Sequence, residues 1–219
     1  MSKARIAVLI SGGGSNLQAL IDASRTHGYP GDIVGVISDQ PLAYGLERAA
    51  RADIPTTLVS RQEFETRAAF DQALADAVDA LRPDIVVLAG FMRIVRGAMV
   101  TRYAGRMLNI HPALLPKYKG LDTYARCLAA GDPAHGTTVH FVSAELDAGP
   151  PVLQAELAVA ADDTVASLTA RVQALEHVIY PMAVRWLAER RLELREDGAW
   201  LDRRPLPEPF RVRAEDLSV

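Results

Sequence analysis

Short apolar runs that alternate with amphipathic segments constrain the fold of this chain more than any other feature. Three runs are strand-length and apolar at nearly every position, at residues 6–10, 33–37 and 85–88. Such runs are typical of strands buried on both faces. A shorter strand at 57–59 and helices from Ser15, over 46–52, and from a capping-box pattern at 60–63 to about Leu81 are predicted between them. This alternation predicts an α/β fold, in which right-handed crossovers build a mostly parallel, twisted sheet with helices on both faces.

The second half of the chain has a different pattern. An apolar segment at 106–108 leads into Asn109 and His111, and strands are also predicted at 136–142 and 151–159. No long helix is predicted between these last two strands. We therefore expect them to extend the sheet in an antiparallel arrangement toward the C-terminus.

A long helix and a hairpin are predicted after these strands. The helix begins at an N-cap at 163–164 and runs to about Arg190, with Pro181 as a candidate kink. The dipeptide Asp197-Gly198 lies between two short apolar segments, which is a hairpin signal.

No linker or repeat interrupts the chain, so we expect one domain over 1–219. Its parts are a first half (1–105), a second half (106–190) and a C-terminal hairpin and tail (191–219). The tail after Arg203 is expected to be partly disordered at its end.

Composition excludes some functional classes. The formal net charge is −3 and no basic tract occurs, which argues against general nucleic-acid binding. The one cysteine, Cys127, lies in a predicted helix and is expected to be a buried, inert thiol in a reducing compartment. No apolar stretch has the length of a signal peptide or a membrane span. These features predict a cytoplasmic protein that does not bind membranes.

Three loops follow predicted parallel strands, at 11–14, 89–93 and 109–112. Because ligands of such sheets bind at the carboxyl ends of the strands, these loops are expected to meet at one binding edge. The first has the order strand, glycines, helix, which is typical of a phosphate site formed by free backbone N–H groups. It lacks the Walker A lysine, and Leu17 stands where a dinucleotide fingerprint needs its third glycine. The alternative interpretation is a tight turn without a ligand.

Asn109 and His111 are two residues apart on a predicted strand, so both side chains point to the same face. An amide donor, an imidazole and a carboxylate such as Asp147 would form an acid–base site. A structural role for His111 and a solvated turn position for Asp147 are the alternatives. His140 is expected to be a hydrogen-bonded core histidine and His135 a loop residue. His111, His140 and Asp147 could form a metal site of two histidines and one carboxylate, but their spacing matches no local ligand motif, and no metal is predicted.

These motifs together resemble the folate-dependent phosphoribosylglycinamide formyltransferases. The matching stretches cover nearly the whole chain, at 8–18, 87–93, 109–112, 114–117, 135–141, 145–150 and 173–177. The resemblance implies a Rossmann-like formyltransferase fold and transfer of a formyl group from 10-formyltetrahydrofolate to the primary amine of glycinamide ribonucleotide. It implies small-molecule partners only, with no nucleic acid or membrane, in a monomer or homodimer.

The resemblance also implies roles for individual residues. The catalytic residues would be Asn109, His111 and Asp147. The ribonucleotide would be held by Gly14, Ser15, Asn16, Gln173 and Glu176. The folate co-substrate would contact Arg67, Met92, Arg93, Ile94, Val95, Asn109, Ser143, Ala144, Glu145, Leu146 and Asp147. The first half of the chain would thus bind phosphate, and the second half would carry catalysis and folate binding.

Some positions depart from the family pattern, and other families share part of it. Gly13 stands where many relatives have asparagine, and Asp122 and Tyr124 stand where relatives often have histidines. Methionyl-tRNA formyltransferases and formyltetrahydrofolate deformylases also resemble the chain around Asn109 and His111, but they carry an additional domain for which we expect no space here. A nicotinamide dehydrogenase and a catalytically silent nucleotide-binding module are the remaining alternatives.

Overall fold

A computed structural model describes residues 2–217 and places a twisted sheet at the centre of the protein. Its first seven strands are β1 (Ala4–Ile10), β2 (Gly31–Ser38), β3 (Thr56–Leu58), β4 (Ile85–Leu88), β5 (Met107–His111), β6 (Ala134–Phe141) and β7 (Pro151–Ala158). They lie in the order β7-β6-β5-β4-β1-β2-β3. Neighbours from β5 to β3 are parallel, whereas β6 is antiparallel to both β5 and β7. The predicted parallel sheet with an antiparallel extension is confirmed.

Helices cover both faces of this sheet. They are α1 (Ser15–Ser24), α2 (Tyr44–Arg51), α3 (Arg67–Ala80), α4 (Ala98–Arg102), α5 (Thr123–Ala130) and α6 (Val165–Ala188). Alternation along β1 explains the two layers, because successive side chains of a strand point to opposite faces. Val8 and Ile10 pack into a core with α1 and α6, whereas Leu9 packs into a second core with α3.

The predicted start of the third helix, at residue 60, is wrong. Residues Arg61–Glu63 form a single 3₁₀ turn, and α3 begins only at Arg67. Thr66 caps α3, since its side chain accepts a hydrogen bond from Ala69 N at 3.1 Å. The intervening Phe64 is extended and packs edge-to-face on Phe70 with ring centroids 6.0 Å apart. That tertiary contact outweighs the local capping pattern.

The long helix α6 forms as predicted. Thr164 and Ser167 make a reciprocal capping box at its start, and the helix continues through Pro181 to Ala188. The predicted hairpin is also present as β8 (Leu192–Arg195) and β9 (Gly198–Leu201), which pair with β10 (Arg204–Pro205) in a small antiparallel sheet.

The tail returns to the main sheet. β11 (Phe210–Arg213) pairs in parallel with β7 and becomes the eighth strand, at the outer edge. A 3₁₀ turn at Ala214–Asp216 follows. The disorder predicted for the very end of the tail concerns residues 218–219, which lie outside the described part of the chain. Within residues 2–217, every helix is too short or too polar to cross a membrane.

Candidate active site

The three loops that follow β1, β4 and β5 lie side by side at the carboxyl edge of the sheet. These strands are neighbours in the order β5-β4-β1. Ser11, which begins the glycine loop (residues 11–14), donates its backbone N–H to the Gly90 carbonyl at 3.1 Å. Two of the three loops expected at one binding edge are therefore in direct contact.

Asn109 lies opposite His140 in the antiparallel pair of β5 and β6. The Asn109 amide nitrogen is 3.1 Å from His140 Nε2, and His140 Nδ1 is 2.8 Å from the Phe141 carbonyl. Since a carbonyl only accepts, Nδ1 carries the proton and Nε2 accepts from the amide. Burial lowers the pKa of His140, which agrees with a neutral ring. The amide of Asn109 is thus oriented, with one N–H used and one free.

His111 points to the same face as Asn109 and is buried. Its Nδ1 lies 3.4 Å from Asp147 Oδ2, and its Nε2 is 2.8 Å from the Tyr118 carbonyl. Both ring nitrogens therefore face acceptors. A neutral imidazole donates from only one nitrogen, so the doubly protonated ring is the form that satisfies both contacts.

Asp147 reaches this site from the loop between β6 and β7. It is only 8% exposed and has a left-handed backbone, with φ at 48°. Its Oδ2 accepts the Gly120 N–H at 3.0 Å, and its Oδ1 is 3.8 Å from His140 Nε2. The interpretation of Asp147 as a solvated turn residue is wrong, since its carboxylate is enclosed by two histidines and a backbone amide.

The same residues are poorly arranged for a metal ion. A histidine binds a metal through a nitrogen lone pair, but the Nε2 of His140 already accepts from Asn109. No group of three or more histidine, cysteine, aspartate or glutamate side chains within residues 2–217 is placed to hold one.

The glycine loop ends at the start of α1. Gly14 has a φ of 70°, and a Cβ there would lie 2.6 Å from the Gly45 Cα, so only glycine fits this close approach of α2. By contrast, a Cβ built at Gly12 or Gly13 would have no heavy atom within 4 Å among the described residues other than the glycine itself and its two chain neighbours. The backbone N–H groups of residues 15–17, in the first turn of α1, have no intrahelical acceptor, and the N-cap residue gives them no side-chain hydrogen bond within residues 2–217.

Asn16 and Glu176 join the glycine loop to α6. Asn16 Nδ2 donates to Glu176 Oε2 at 2.7 Å, and Thr137 Oγ1 lies 3.4 Å from Glu176 Oε1. Thr137 also donates to the His111 carbonyl at 3.0 Å. Burial raises the pKa of Glu176 to about 7, against the hydrogen bonds from Asn16 and Thr137. A protonated Glu176 can accept a hydrogen bond from the Asn16 amide and donate one to the Thr137 hydroxyl. The Thr137 hydroxyl then donates to the backbone carbonyl of His111.

A cavity of about 360 Å³ opens beside this network. It is lined by Ser15, by Arg48 of α2 and by His177 of α6. Arg48 donates from Nε to the Gly13 carbonyl at 2.9 Å, which brings a positive charge to the glycine loop. Gln173 is exposed on α6, one helical turn before His177.

The two segments expected to contact folate are residues 92–95 and 143–147. In the 92–95 segment, Met92 is exposed and Val95 is buried. Arg67 at the start of α3 donates to the Ile94 carbonyl and to Asp71 Oδ1, the latter at 2.7 Å. Arg67 therefore braces this segment.

The 143–147 segment follows β6. Ser143 donates from Oγ to the Glu145 carbonyl at 3.0 Å, while Ala144, Glu145 and Leu146 are exposed. Val142, just before it, packs against the core that contains Phe91 and Val95. The two segments therefore start from one shared core.

Comparison with known proteins identifies the family. The sequence profile described as "Formyl transferase" matches residues 4–184. The chain belongs to the formyl transferase family. This formyl transferase is 52% identical over 202 residues to the phosphoribosylglycinamide formyltransferase of Escherichia coli, covering 92% of this chain and 95% of that one.

Another relative and a solved structure agree. The phosphoribosylglycinamide formyltransferase of Haemophilus influenzae is 46% identical over 203 residues, which cover 93% of this chain and 96% of that one. The structure of the phosphoribosylglycinamide formyltransferase of Coxiella burnetii superposes with a TM-score of 0.90 at 47% identity, covering 95% of this chain and 100% of that one.

Several residues of this formyl transferase site were not found from the sequence. His140 was expected to be a core histidine, and it is one, but it also orients Asn109. The contact of Arg48 with the glycine loop was not predicted, because in the sequence Arg48 is only a charged residue of a predicted helix. His135 was expected in a loop, and this is wrong. It lies in β6, is 1% exposed and packs edge-to-face on Tyr118 and Tyr124.

Proposed function

We propose that this enzyme transfers the formyl group of 10-formyltetrahydrofolate to the primary amine of glycinamide ribonucleotide, a step of purine biosynthesis. The observation that carries the proposal is the cluster at the sheet edge in which Asp147 contacts His111 and also His140, the partner of Asn109. The names of the relatives above support the choice of substrates.

The folate co-substrate supplies the formyl group when it is bound. As the amine attacks the formyl carbon, negative charge develops on the formyl oxygen. The free N–H of the Asn109 amide is positioned to donate to that oxygen, because the other N–H is held by His140. Removal of one such preorganised donor costs about 10²–10³ in rate.

His111 is the second donor in this mechanism. When both ring nitrogens carry a proton, Nε2 can donate to the formyl oxygen in place of the Tyr118 carbonyl, and Asp147 compensates the positive charge. A proton must also pass from the attacking amine to the departing folate nitrogen, and we assign this transfer to His111 or to a water beside it.

The glycine loop is assigned to the ribonucleotide phosphate. Gly14, Ser15 and Asn16 present the N-terminus of α1, where free N–H groups and the helix dipole favour an anion. Gln173 and Glu176 are assigned to the same substrate from α6.

The 92–95 and 143–147 segments, with Arg67, are assigned to the folate. Arg67 is half-exposed, so its guanidinium can reach an anionic tail of that substrate. We also propose one catalytic domain over 1–219, as a monomer or homodimer in the cytoplasm, without nucleic-acid partners.

The test is an assay with purified protein, 10-formyltetrahydrofolate and glycinamide ribonucleotide, following absorbance as the tetrahydrofolate product forms. His111→Ala and Asp147→Asn are each expected to lose about 10²-fold or more in kcat while remaining folded. The exposed histidine variant His27→Ala is the matched control and should keep full activity.

Three results would contradict this proposal. Unchanged turnover in either site variant would refute the residue assignment. Formate release without the amine would instead indicate a deformylase. Absence of turnover in the unmodified enzyme would indicate a binding module.

A further inference from the structure

Asp39 is a buried carboxylate that no step of the mechanism above uses. It is the first residue after β2, at the same sheet edge as the glycine loop, and its side chain is 0% exposed. Its Oδ1 accepts from Ser11 Oγ at 2.5 Å, and its Oδ2 accepts from Arg93 Nε at 2.8 Å and from Gln40 Nε2 at 3.1 Å. Each of these donors belongs to a loop at the sheet edge.

Ser11 closes these contacts into a ring. Its Oγ donates to Asp39 and also accepts the backbone N–H of Met92 at 2.8 Å. Met92 is followed in the chain by Arg93, whose guanidinium donates back to the Asp39 carboxylate. This ring of four residues, the Asp39 ring, connects the first residue of the glycine loop to the first two residues of the 92–95 segment.

The ring spans three neighbouring strands. Asp39 follows β2, Ser11 follows β1, and Met92 and Arg93 follow β4, and these strands lie in the order β4-β1-β2. Adjacent strands are about 4.8 Å apart, so the carboxylate bridges loops whose strands are separated by about 10 Å.

The stability of the core does not account for this carboxylate. Burying a charged group is costly, and apolar side chains of similar volume are often as stabilising as a buried ion pair. The hydrogen bonds that the Asp39 carboxylate accepts within residues 2–217 all come from loop residues at the site. The Asp39 carboxylate therefore fixes the positions of those loops.

We infer that Asp39 is a positioning residue, which holds the glycine loop and the 92–95 segment at a fixed separation so that both substrates bind in register. The inference rests on the proposed function for the identity of the two substrates.

Substitutions in the ring test this. In Asp39→Ala, Ser11 and Arg93 both lose their acceptor. Since a hydrogen bond to a charged group contributes about a tenfold step in an equilibrium constant, we expect KM to rise about tenfold for both substrates, with a smaller change in kcat. Asp39→Asn keeps an oxygen toward Arg93 and places its NH₂ at Ser11 Oγ, which can accept, so its effect should be intermediate.

The matched control is Asp32→Ala. Asp32 lies on the same strand, near its opposite end, and pairs with Lys3 at the surface. The Asp32→Ala substitution should leave the KM values of both substrates unchanged. A purely structural loss would reduce the fraction of folded enzyme, and hence the apparent kcat, without raising KM.

A second measurement does not depend on turnover. Amide hydrogen exchange of peptides covering 11–16 and 90–95 is measured without substrates in the unmodified enzyme, Asp39→Ala, Asp39→Asn and Ser11→Ala. We expect about tenfold faster exchange in both peptides for Asp39→Ala and Ser11→Ala. If Asp39→Ala does not fold, Ser11→Ala and Asp39→Asn carry the test.

Unchanged KM values in the folded variants would overturn the inference. Exchange that is unchanged, or that accelerates in only one of the two peptides, would overturn it as well. If the unmodified enzyme shows no formyl transfer, the proposed function fails, while the exchange measurement still decides whether Asp39 couples the two segments.

Discussion

Replacing Glu176 with glutamine is expected to remove a large part of the pH dependence of folding stability. Burial raises the pKa of Glu176 from its ordinary value of 4.5 to about 7. Each pKa unit corresponds to about 1.4 kcal/mol, so keeping this group ionised costs the folded state about 3.5 kcal/mol above pH 7. Because the folded pKa lies above the unfolded one, the stabilisation is complete below pH 4.5 and is lost as pH rises to 7.

Glutamine is suited to this position. Its amide oxygen can accept from Asn16 Nδ2, and its NH₂ can face Thr137 Oγ1, as a protonated carboxyl group does. The variant therefore keeps both contacts and carries no charge to bury.

The assay is guanidinium unfolding of both proteins at pH 5 and pH 8. We expect the unmodified protein to lose about 2 kcal/mol more than Glu176→Gln between these pH values, because most of the ionisation cost develops in that interval. The exposed variant Glu65→Gln serves as the control and should follow the unmodified protein. Equal pH dependence of the Glu176→Gln and unmodified proteins would refute the reasoning, since Glu176 would then titrate alike in the folded and unfolded states.

Three further predictions concern the glycine loop and the core. Gly14→Ala should lower stability by about 2 kcal/mol or more in denaturant unfolding, because of its positive φ and the 2.6 Å approach to α2, whereas Gly12→Ala should be nearly neutral. Arg48→Ala should raise KM for the ribonucleotide about tenfold, as it removes a charge beside the phosphate site, and Arg51→Ala on the same helix should not. Tyr180→Phe should cost about 1–2 kcal/mol in thermal or denaturant unfolding, because a buried hydroxyl contacts the Leu88 and Leu108 carbonyls at 2.7 and 3.1 Å. Wild-type behaviour of Gly14→Ala, Arg48→Ala or Tyr180→Phe would contradict the corresponding contact.

Local patterns predicted much of this fold because they reflect local physics. Apolar runs of strand length gave β1, β2 and β4, and the period of two placed Asn109 and His111 on one face of β5. The hairpin indicated by Asp197-Gly198 forms, but its turn is shifted by one residue: Arg195 pairs with Gly198, so Glu196 and Asp197 make the turn and Gly198 begins β9.

Long-range contacts explain what the sequence did not reveal. The start of α3 depends on Phe64 packing against Phe70, and the position of His140 opposite Asn109 depends on the register of β5 and β6. Asp39 follows a predicted strand like the other site loops, but its partners Ser11 and Arg93 are 28 and 54 residues away. No local pattern encodes such pairings.

The eighth strand has a consequence for how the chain folds during synthesis. β7 is completed at Ala158, but its outer partner β11 begins only at Phe210. Until residues 210–213 leave the ribosome, the outer row of N–H and C=O groups of β7 is an open edge, which can pair with another chain. The segment from Phe210 to Arg213 therefore covers the middle of the eight-residue edge of β7 and presents a four-residue edge that carries two arginines, and short, charged edges disfavour pairing with another chain.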